Sequence, residues 1–572
     1  MDLFSADITA AAQAAVTTIT AMPPVSLTLG DDAWLAMSSA LDTDTPVHLP
    51  GMMRPFLPWQ GAAYLYANAS IARWGGALLG DDMGLGKTQV LLALANDAIN
   101  DHGGYAIIVV PTVAEAGYRQ DLRAAFPGLT MHVVKGRTVK ALPPADIYLI
   151  SDDSLTMKAW MTDEREWTDK RGKTHKSLDA SVWTRNAAIV LRDEIHRDKG
   201  NQAKPTGRAK VMLAVGEYLR NAGRAIVGAT GTLLTNRCVE AYIPLTIIGG
   251  EALLKALTPG ATKGSNFLWR YCAPVKNNFN GRVVITYSGM DAEQCHLLHE
   301  YLRRTVYVRR EKSDLGEGVL PNSGWIVTPL ALTDDAMRRY QRVEKDFLNL
   351  IKEEKGIEAM WRADKAQTIV QMNMLWEEAG IAKAEAAIDY AKTLTDEGEQ
   401  VVVFYQHADA YLALAKACIK NGLTYTTING QVTGDSRVES VESFQAGDVN
   451  ICLAQIQAAG MAVTLTAACH AVFVSVPWSA GSLKQCADRI LRVDDITRER
   501  AAAGGTVTWH VLQSAYSDGD LSFDAAMWSV LEGKCKVVDA VNAGREITMP
   551  EESVMFAALQ AWQPNAKRHG GW

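Results

Sequence analysis

The sequence predicts an α/β protein with two parallel sheets, each flanked by helices, and helical insertions between and around them. Three observations lead there. The chain is 572 residues long, well beyond the roughly 100 to 200 residues of one domain, so at least two hydrophobic cores are expected. Short apolar runs alternate with helix-like segments in two separate blocks, which is the pattern of strand-helix-strand units in parallel sheets. Between the blocks, residues 334–387 carry sustained helical periodicity.

In chain order, residues 1–50 hold small, acidic and Pro-containing segments, Met22-Pro23-Pro24 and Asp42-Thr43-Asp44 among them, with one weak helical stretch at 10–21. They read as an accessory arm without catalysis. The first block places strands at 76–79, 106–110, 147–150, 187–191 and 225–227, with a helix at 88–98 after a Gly-rich turn. A polar insertion between Met157 and Trp183, WMTDEREWTDKRGKTHKSLD, balances its charges around a central Gly and reads as an exposed hairpin or loop. The second block places strands at 400–405, 424–428, 449–454, 471–476 and 507–512. No repeat of 20 to 50 residues is apparent, which argues against a solenoid.

Composition narrows the class. With 48% hydrophobic and 21% charged residues the chain is neither disordered nor fibrous. No run approaches the roughly 18 apolar residues of a membrane span. No Lys or Arg precedes Arg54, so the stretch at 10–21 lacks the basic start of a secretory signal. The expected setting is intracellular, without a membrane. Of the eight cysteines, Cys238, Cys272, Cys295, Cys418, Cys452, Cys469, Cys486 and Cys535, no two are spaced as a CxxC knuckle, so neither zinc nor disulfide staples are expected. Six of the acids precede Arg54, and from there on 57 bases face 58 acids. A nucleic-acid groove must therefore come from local clustering of bases, since overall charge leaves no footprint.

The strand at 76–79 runs into Gly80-Asp81-Asp82-Met83-Gly84-Leu85-Gly86-Lys87-Thr88 and then a helix. A strand, a glycine loop and a helix in that order let backbone N–H groups wrap phosphates, with Lys87 reaching the β and γ phosphates and the Thr88 hydroxyl on Mg²⁺. Asp82, Met83, Gly84, Leu85 and Gly86 line the same loop, while Asp81 stands where the strict GxxxxGK[ST] pattern has its first Gly. ATP and Mg²⁺ are the expected ligands. The strand at 187–191 ends in Arg192-Asp193-Glu194-Ile195-His196. A carboxylate there can reach the same metal: Asp193 holds Mg²⁺, and Glu194 orients or deprotonates the attacking water. The strand at 225–227 leads into Gly228-Ala229-Thr230-Gly231-Thr232-Leu233-Leu234-Thr235-Asn236, where the hydroxyls of Thr230 and Thr232, with His196, are candidates to sense the acidic pair. In the second block Gln485-Cys486-Ala487-Asp488-Arg489-Ile490-Leu491-Arg492 reads as helical, so Arg489 and Arg492, three apart, share a face. Two guanidiniums delivered from an opposite lobe would stabilise γ-phosphate charge as the lobes close. Each segment alone also has an ordinary reading, as a Gly turn, a solvated acidic loop or a basic helix face. Their order favours the chemical one.

Taken in sequence, GDDMGLGKT, DEIH, GATGTLLTN and QCADRILR resemble the Swi/Snf family of superfamily-two helicase-like ATPases over residues 54–538. The resemblance implies two RecA-like lobes that close on ATP. It divides the chain into an arm (1–53), an ATP-binding lobe with an insertion (54–310), a linker and helical insertion (311–390), a second lobe with a bracing helix (391–540) and a tail (541–572). Tyr307-Val308-Arg309-Arg310-Glu311-Lys312, followed by Leu320-Pro321, resembles the family's basic linker. The second half is most similar to the annealing-helicase branch: Val403-Phe404-Tyr405-Gln406-His407, Ile428-Asn429-Gly430 with Arg437 and Phe444-Gln445, Ala458-Ala459-Gly460-Met461-Ala462-Val463-Thr464, and Trp478 with Gly481. By the same resemblance Gln60 contacts adenine, Gly460 joins the nucleotide set and Gln485 the coupling set. Four positions depart from the family pattern: Ile195 replaces Ala, Ala462 replaces Gly, and Asp494-Asp495 replace Gly-Gln. The expected function is ATP-dependent translocation on double-stranded DNA, forked or branched DNA included, with backbone contacts at Pro111, Thr112, Ser151, Asp152 and Gly430. A strand-separating DNA or RNA helicase and an ATP-binding scaffold remain alternatives. Targeting falls to the arm, the insertions or a protein partner.

Overall fold

The computed structural model describes residues 32–43, 46–135, 141–156, 160–168, 174–201, 204–233, 238–279, 282–287, 292–354, 357, 365–432, 435–459, 463–515, 522–542 and 557–562. The chain forms two units, Met1–Leu315 with Val537–Met549, and Gly316–Lys536 with Pro550–Trp572.

In the first unit, seven strands lie in the spatial order Tyr307–Val308, Gly76–Leu79, Ala225–Ala229, Ala187–Asp193, Tyr105–Val110, Ile147–Ser151, Met131–Val134. Every pairing is parallel. The central strands read as unbroken apolar runs because both faces are covered by helices. Ile107, Val109, Val190, Ile226 and Leu78 share one core with Val215, Leu219 and Ile248 of the helices Gly207–Asn221 and Val239–Ala256. Register decides where function falls. Leu79 pairs with Ala229 and Ala229 with Asp193, while Arg192 pairs with Val109 and Val110 with Ser151. The residues that follow these positions emerge side by side at the carboxyl edge of the sheet, where α/β sheets bind ligands.

The second unit has six parallel strands in the order Asn322–Ala331, Thr506–Ala515, His470–Phe473, Val401–Tyr405, Ile451–Gln455, Tyr425–Ile428. The two parallel sheets with flanking helices bear out the expected fold class of two RecA-like lobes. The polar insertion is a two-stranded antiparallel hairpin, Thr162–Thr168 with Thr174–Ala180.

Several boundaries moved. The strand expected at 471–476 ends at Phe473. The expected helical stretch is two helices, Asp334–Glu353 and Lys365–Asp396. No break falls at 390/391, because Ala384, Ala387, Ile388 and Ala391 of the second helix pack into one core with Val401, Val403 and Leu453. The end of the arm is likewise built in: Trp34, on the helix Asp32–Ser39, is 1% exposed and meets Tyr66 edge-on. From the C-terminal stretch, Trp562 donates to Glu344 and stacks on Phe347. The helical stretch expected at 10–21 lies outside the described residues. Among the described residues no helix is long and apolar enough to cross a membrane.

Candidate nucleotide site

The loop after Gly76–Leu79 has the conformation its glycines permit. Gly84 and Gly86 have φ of 89° and 82°, values that cost side-chain-bearing residues energy. At Gly86 a Cβ would also lie 2.0 Å from Gln60 Nε2. The helix Lys87–His102 starts directly after that turn, so its free N–H groups and positive end face the loop. Lys87 Nζ donates to the carbonyls of Asp81 (2.6 Å) and Asp82 (3.0 Å). Burial lowers the Lys87 pKa, while Glu194, Asp81, Asp193 and Asp82 act to raise it. Thr88 is half-buried in the first turn of that helix.

Asp193 ends its strand, and Glu194 begins the turn with φ 53°, a left-handed conformation costing about 1–3 kcal/mol in a non-Gly residue. Such strain is characteristic of functional turns. Here it follows directly on the strand end that carries Asp193. Asp193 accepts from the Glu194 N–H (2.9 Å) and from the Tyr118 hydroxyl (3.1 Å). Burial, followed by the charge of Glu194, raises the Asp193 carboxyl to about 6, against the lowering influence of Lys87 and Tyr118. Glu194 lies 3.2 Å from His196 Nδ1, which is 2.8 Å from the Thr230 hydroxyl. Thr230 in turn accepts from the Thr232 N–H (3.1 Å). His196 Nδ1 thus bonds the Thr230 hydroxyl and lies close to Glu194, which brings His196, Thr230 and Thr232 of two loops together beside the acidic pair. Ile195 is fully buried, and a Cβ at Gly228 would lie 2.7 Å from its side chain. Gly228 leaves the space that the larger residue in this DEIH box occupies.

Gln60 stands in the first turn of Pro58–Trp74. Its Nε2 donates to the Leu85 and Gly86 carbonyls at 3.3 Å each, and Trp59 donates to Leu85 at 3.0 Å. Met83 packs against the Thr230 loop: a Cβ at Gly231 would lie 2.9 Å from its side chain. The first unit therefore gathers Gln60, Asp82, Met83, Gly84, Leu85, Gly86, Lys87, Asp193, Glu194, His196, Thr230 and Thr232 around the carboxyl edge of its sheet. Asp193 at its strand end and Thr88 at its helix start offer oxygen atoms of the kind that Mg²⁺ takes as ligands.

In the second unit the helix ends at Ala487, so Arg489 and Arg492 do not share a helix face as expected. They lie instead in and just after the turn that follows it. Arg489, 4% exposed, donates to the Gln485 carbonyl (2.7 Å) and the Val463 carbonyl (3.3 Å). Arg492 donates to the Asp488 carbonyl (3.2 Å) and the Thr464 hydroxyl (3.1 Å). Asp494 caps the helix Asp495–Ala502, accepting from the Thr497 N–H at 2.9 Å. That gives one departure from the family pattern a structural role. Gly460 and Ala462 lie outside the described residues.

Among the expected DNA contacts, Asp152 is a correction. It is fully buried, and its Oδ2 is shared by Arg197 (2.9 Å), Arg208 (3.4 Å) and Arg192 (3.5 Å). A carboxylate spent on three guanidiniums has neither the exposure nor the sign to hold a phosphate. Pro111 is buried as well. Thr112 is exposed and bonded to Asp153 (3.0 Å), Ser151 is bonded to Ser154 (2.9 Å), and the exposed Gly430 donates to Gln455 (3.2 Å). Sequence reasoning missed Tyr118, which has no motif around it. It also missed Arg192, which grips Asp198 with two bonds (2.6 and 2.9 Å) and donates to the Asp193 carbonyl (2.6 Å). Its position next to the acidic pair was the available signal.

Residues 382–494 match the family described as the helicase conserved C-terminal domain. The human DNA annealing helicase and endonuclease ZRANB3 is 26% identical over 534 residues, 90% of this chain and 44% of its own length. From Drosophila melanogaster, the SWI/SNF-related matrix-associated actin-dependent regulator of chromatin subfamily A-like protein 1 is 24% identical over 449 residues, 78% of this chain and 52% of its own. The chain thus spans about half the length of the curated relatives it matches. The solved Sulfolobus solfataricus SWI2/SNF2 ATPase core, in complex with dsDNA, aligns with 88% of this chain and 96% of its own at 17% identity. Its TM-score of 0.36 is too low for any arrangement to be read across. The resemblance seen in the motifs stands: the chain is similar to Swi/Snf-related helicase-like ATPases, with an annealing helicase among its matches.

Proposed function

We propose that the protein hydrolyses ATP to move along double-stranded DNA. Lys87 and the loop 82–88 grip the phosphates and Gln60 the base. Glu194 orients the attacking water and takes its proton, with His196 and Thr230 fixing its direction. Arg489, Arg492 and Lys87 offset charge gathering on the γ-phosphate, a contribution that in such reactions comes almost wholly from positioning and electrostatics. Thr88 and Asp193 would hold Mg²⁺, which when bound neutralises phosphate charge. The observation that carries the reading is the gathering of Glu194, His196 and Thr230 within contact of one another, His196 Nδ1 lying 3.2 Å from Glu194 and 2.8 Å from Thr230, beside Lys87 at one sheet edge.

Duplex DNA is the favoured track because the relatives' names speak of DNA annealing and chromatin. Thr112, Ser151 and Gly430 are the remaining candidates for backbone contacts, which track a duplex without reading its sequence. The arm and the hairpin are the candidate sites for a protein partner. The test compares ATP turnover with duplex, forked, single-stranded and RNA polymers at fixed salt, beside displacement of a third strand from a triplex. Stimulation by duplex or forked DNA, with triplex displacement and an intact underlying duplex, is the expected result. Unwinding of the duplex would favour a strand-separating helicase, and turnover absent under every condition would leave a scaffold.

A further inference from the structure

The phosphate loop is held by a segment that lies about 230 residues further along the chain. Tyr307–Val308 pairs in parallel with Leu78 and Leu79, and the ladder continues into the loop: Gly80 N–H donates to Val308 (2.8 Å) and Asp82 N–H to Arg310 (2.9 Å). The contact is so close that a Cβ at Gly80 would lie 1.9 Å from the Tyr307 ring. Arg309, 5% exposed, sends Nη1 to the Gly80 carbonyl (2.6 Å) and the Gly231 carbonyl (3.0 Å), and Nη2 to Asp82 Oδ1 (2.7 Å). Arg310, fully buried, sends Nε to the Ala40 carbonyl (2.6 Å) and Nη1 to Asp81 Oδ2 (3.1 Å). Lys312 N–H donates to the other oxygen of Asp82 (3.1 Å).

Two carboxylates in a loop meant for phosphates pose a charge conflict: they would repel the anion and compete for the loop's own N–H groups. The two guanidiniums resolve it, Arg310 on Asp81 and Arg309 on Asp82, with Glu311 also 3.4 Å from Arg309. Arg309 also ties the phosphate loop to the Thr230 loop through Gly231.

We propose that Arg309 and Arg310 are positioning residues for the nucleotide: they neutralise Asp82 and Asp81, hold the phosphate loop in its binding shape, and fix it to the loop that carries Thr230. The proposal rests on the nucleotide-binding reading above. The planar fork of Arg309 serves acceptors on two loops at once, and an ammonium on a lysine stem cannot.

Arg309→Lys in the full chain tests this, with Arg310→Lys as the second variant should the first fail to fold. Three quantities are read: affinity for a fluorescent ATP analogue with Mg²⁺, KM against kcat for ATP, and melting temperature with and without nucleotide. The expected result for Arg309→Lys is a Kd and KM raised about tenfold, with kcat within about threefold, as for loss of binding interactions common to ground and transition states. The nucleotide-free melting temperature changes by only a few degrees, while the stabilisation added by nucleotide shrinks. A merely structural role would lower the melting temperature and leave the affinity of the folded fraction intact. A folded Arg309→Lys, or in its place Arg310→Lys, that binds nucleotide as the wild type does would overturn the proposal alone. A wild type that binds no nucleotide would remove the underlying reading and the proposal together.

Discussion

The arginines of the first unit and those of the second are held in different ways. Arg192, Arg309 and Arg310 are each matched to a carboxylate inside the fold, on Asp198, Asp82 and Asp81. Arg489 and Arg492 brace the backbone around their own turn, the carbonyls of Gln485, Val463 and Asp488 and the Thr464 hydroxyl being among their acceptors. A guanidinium already paired with a carboxylate has spent its charge, and its work is to shape backbone. Arg489 and Arg492, in the proposed function, are instead the ones that meet the phosphate. The comparison separates residues that build the site from residues that act on what the site holds.

Three substitutions sharpen that division, the largest effect first. Lys87→Ala removes the cation at the heart of the first unit's loop. Turnover falls by about 10³-fold or more, with loss of nucleotide affinity, because positioning and charge both go. Glu194→Gln keeps the shape and removes the base. Its turnover falls about 10²- to 10⁴-fold while the nucleotide Kd stays within a few-fold, measured by analogue binding beside single-turnover hydrolysis. Should affinity fall in step with turnover, Glu194 belongs with the residues that shape the loop.

The smallest effect concerns Tyr118 and is visible only against pH. The Asp193 carboxyl is raised to about 6, chiefly by burial, and the Tyr118 hydrogen bond opposes that rise. Its charged form is therefore lost from the free enzyme as pH falls through about 6, giving kcat/KM for ATP an acid limb there. Tyr118→Phe removes the opposing bond, so the limb moves upward by about 1 to 2 pH units, the worth of one hydrogen bond to a charge, while activity above about pH 9 changes little. The same shift bears on stability with a definite sign. A carboxyl whose folded pKa is raised stabilises the fold at low pH, and that contribution fades as pH climbs from its ordinary value near 4 to about 6. An acid limb that stays in place in Tyr118→Phe would mean the hydroxyl does not tune Asp193.

Much of the first unit was legible in the sequence because its site is a set of strand ends. The phosphate loop, the Asp193-Glu194 turn and the Thr230 loop each announce themselves within about ten residues, and a parallel sheet brings them to one edge. What could not be read are contacts between distant segments. Tyr118 meets Asp193 across 75 positions, and Arg309 meets Gly80 across 229. Arg309 and Arg310 look like linker residues in sequence, and burial turns them into part of the loop's frame. Asp152 failed for a related reason: a polar residue at a strand end reads as exposed, and the three arginines that enclose it lie 40 to 56 positions away. In the second unit the arginine pair was found, but the expected helix stops at Ala487 and the capping Asp494 soon starts another.

In the proposed function Arg489 and Arg492 act on the nucleotide that Lys87 holds. Its most direct test is duplex-stimulated ATP turnover by Arg492→Ala, and separately Arg489→Ala, alongside the Kd for nucleotide. The account predicts turnover lowered about 10³-fold, in the range of a lost phosphate-directed arginine, with nucleotide affinity within about threefold of the wild type. Full turnover in both variants would contradict it.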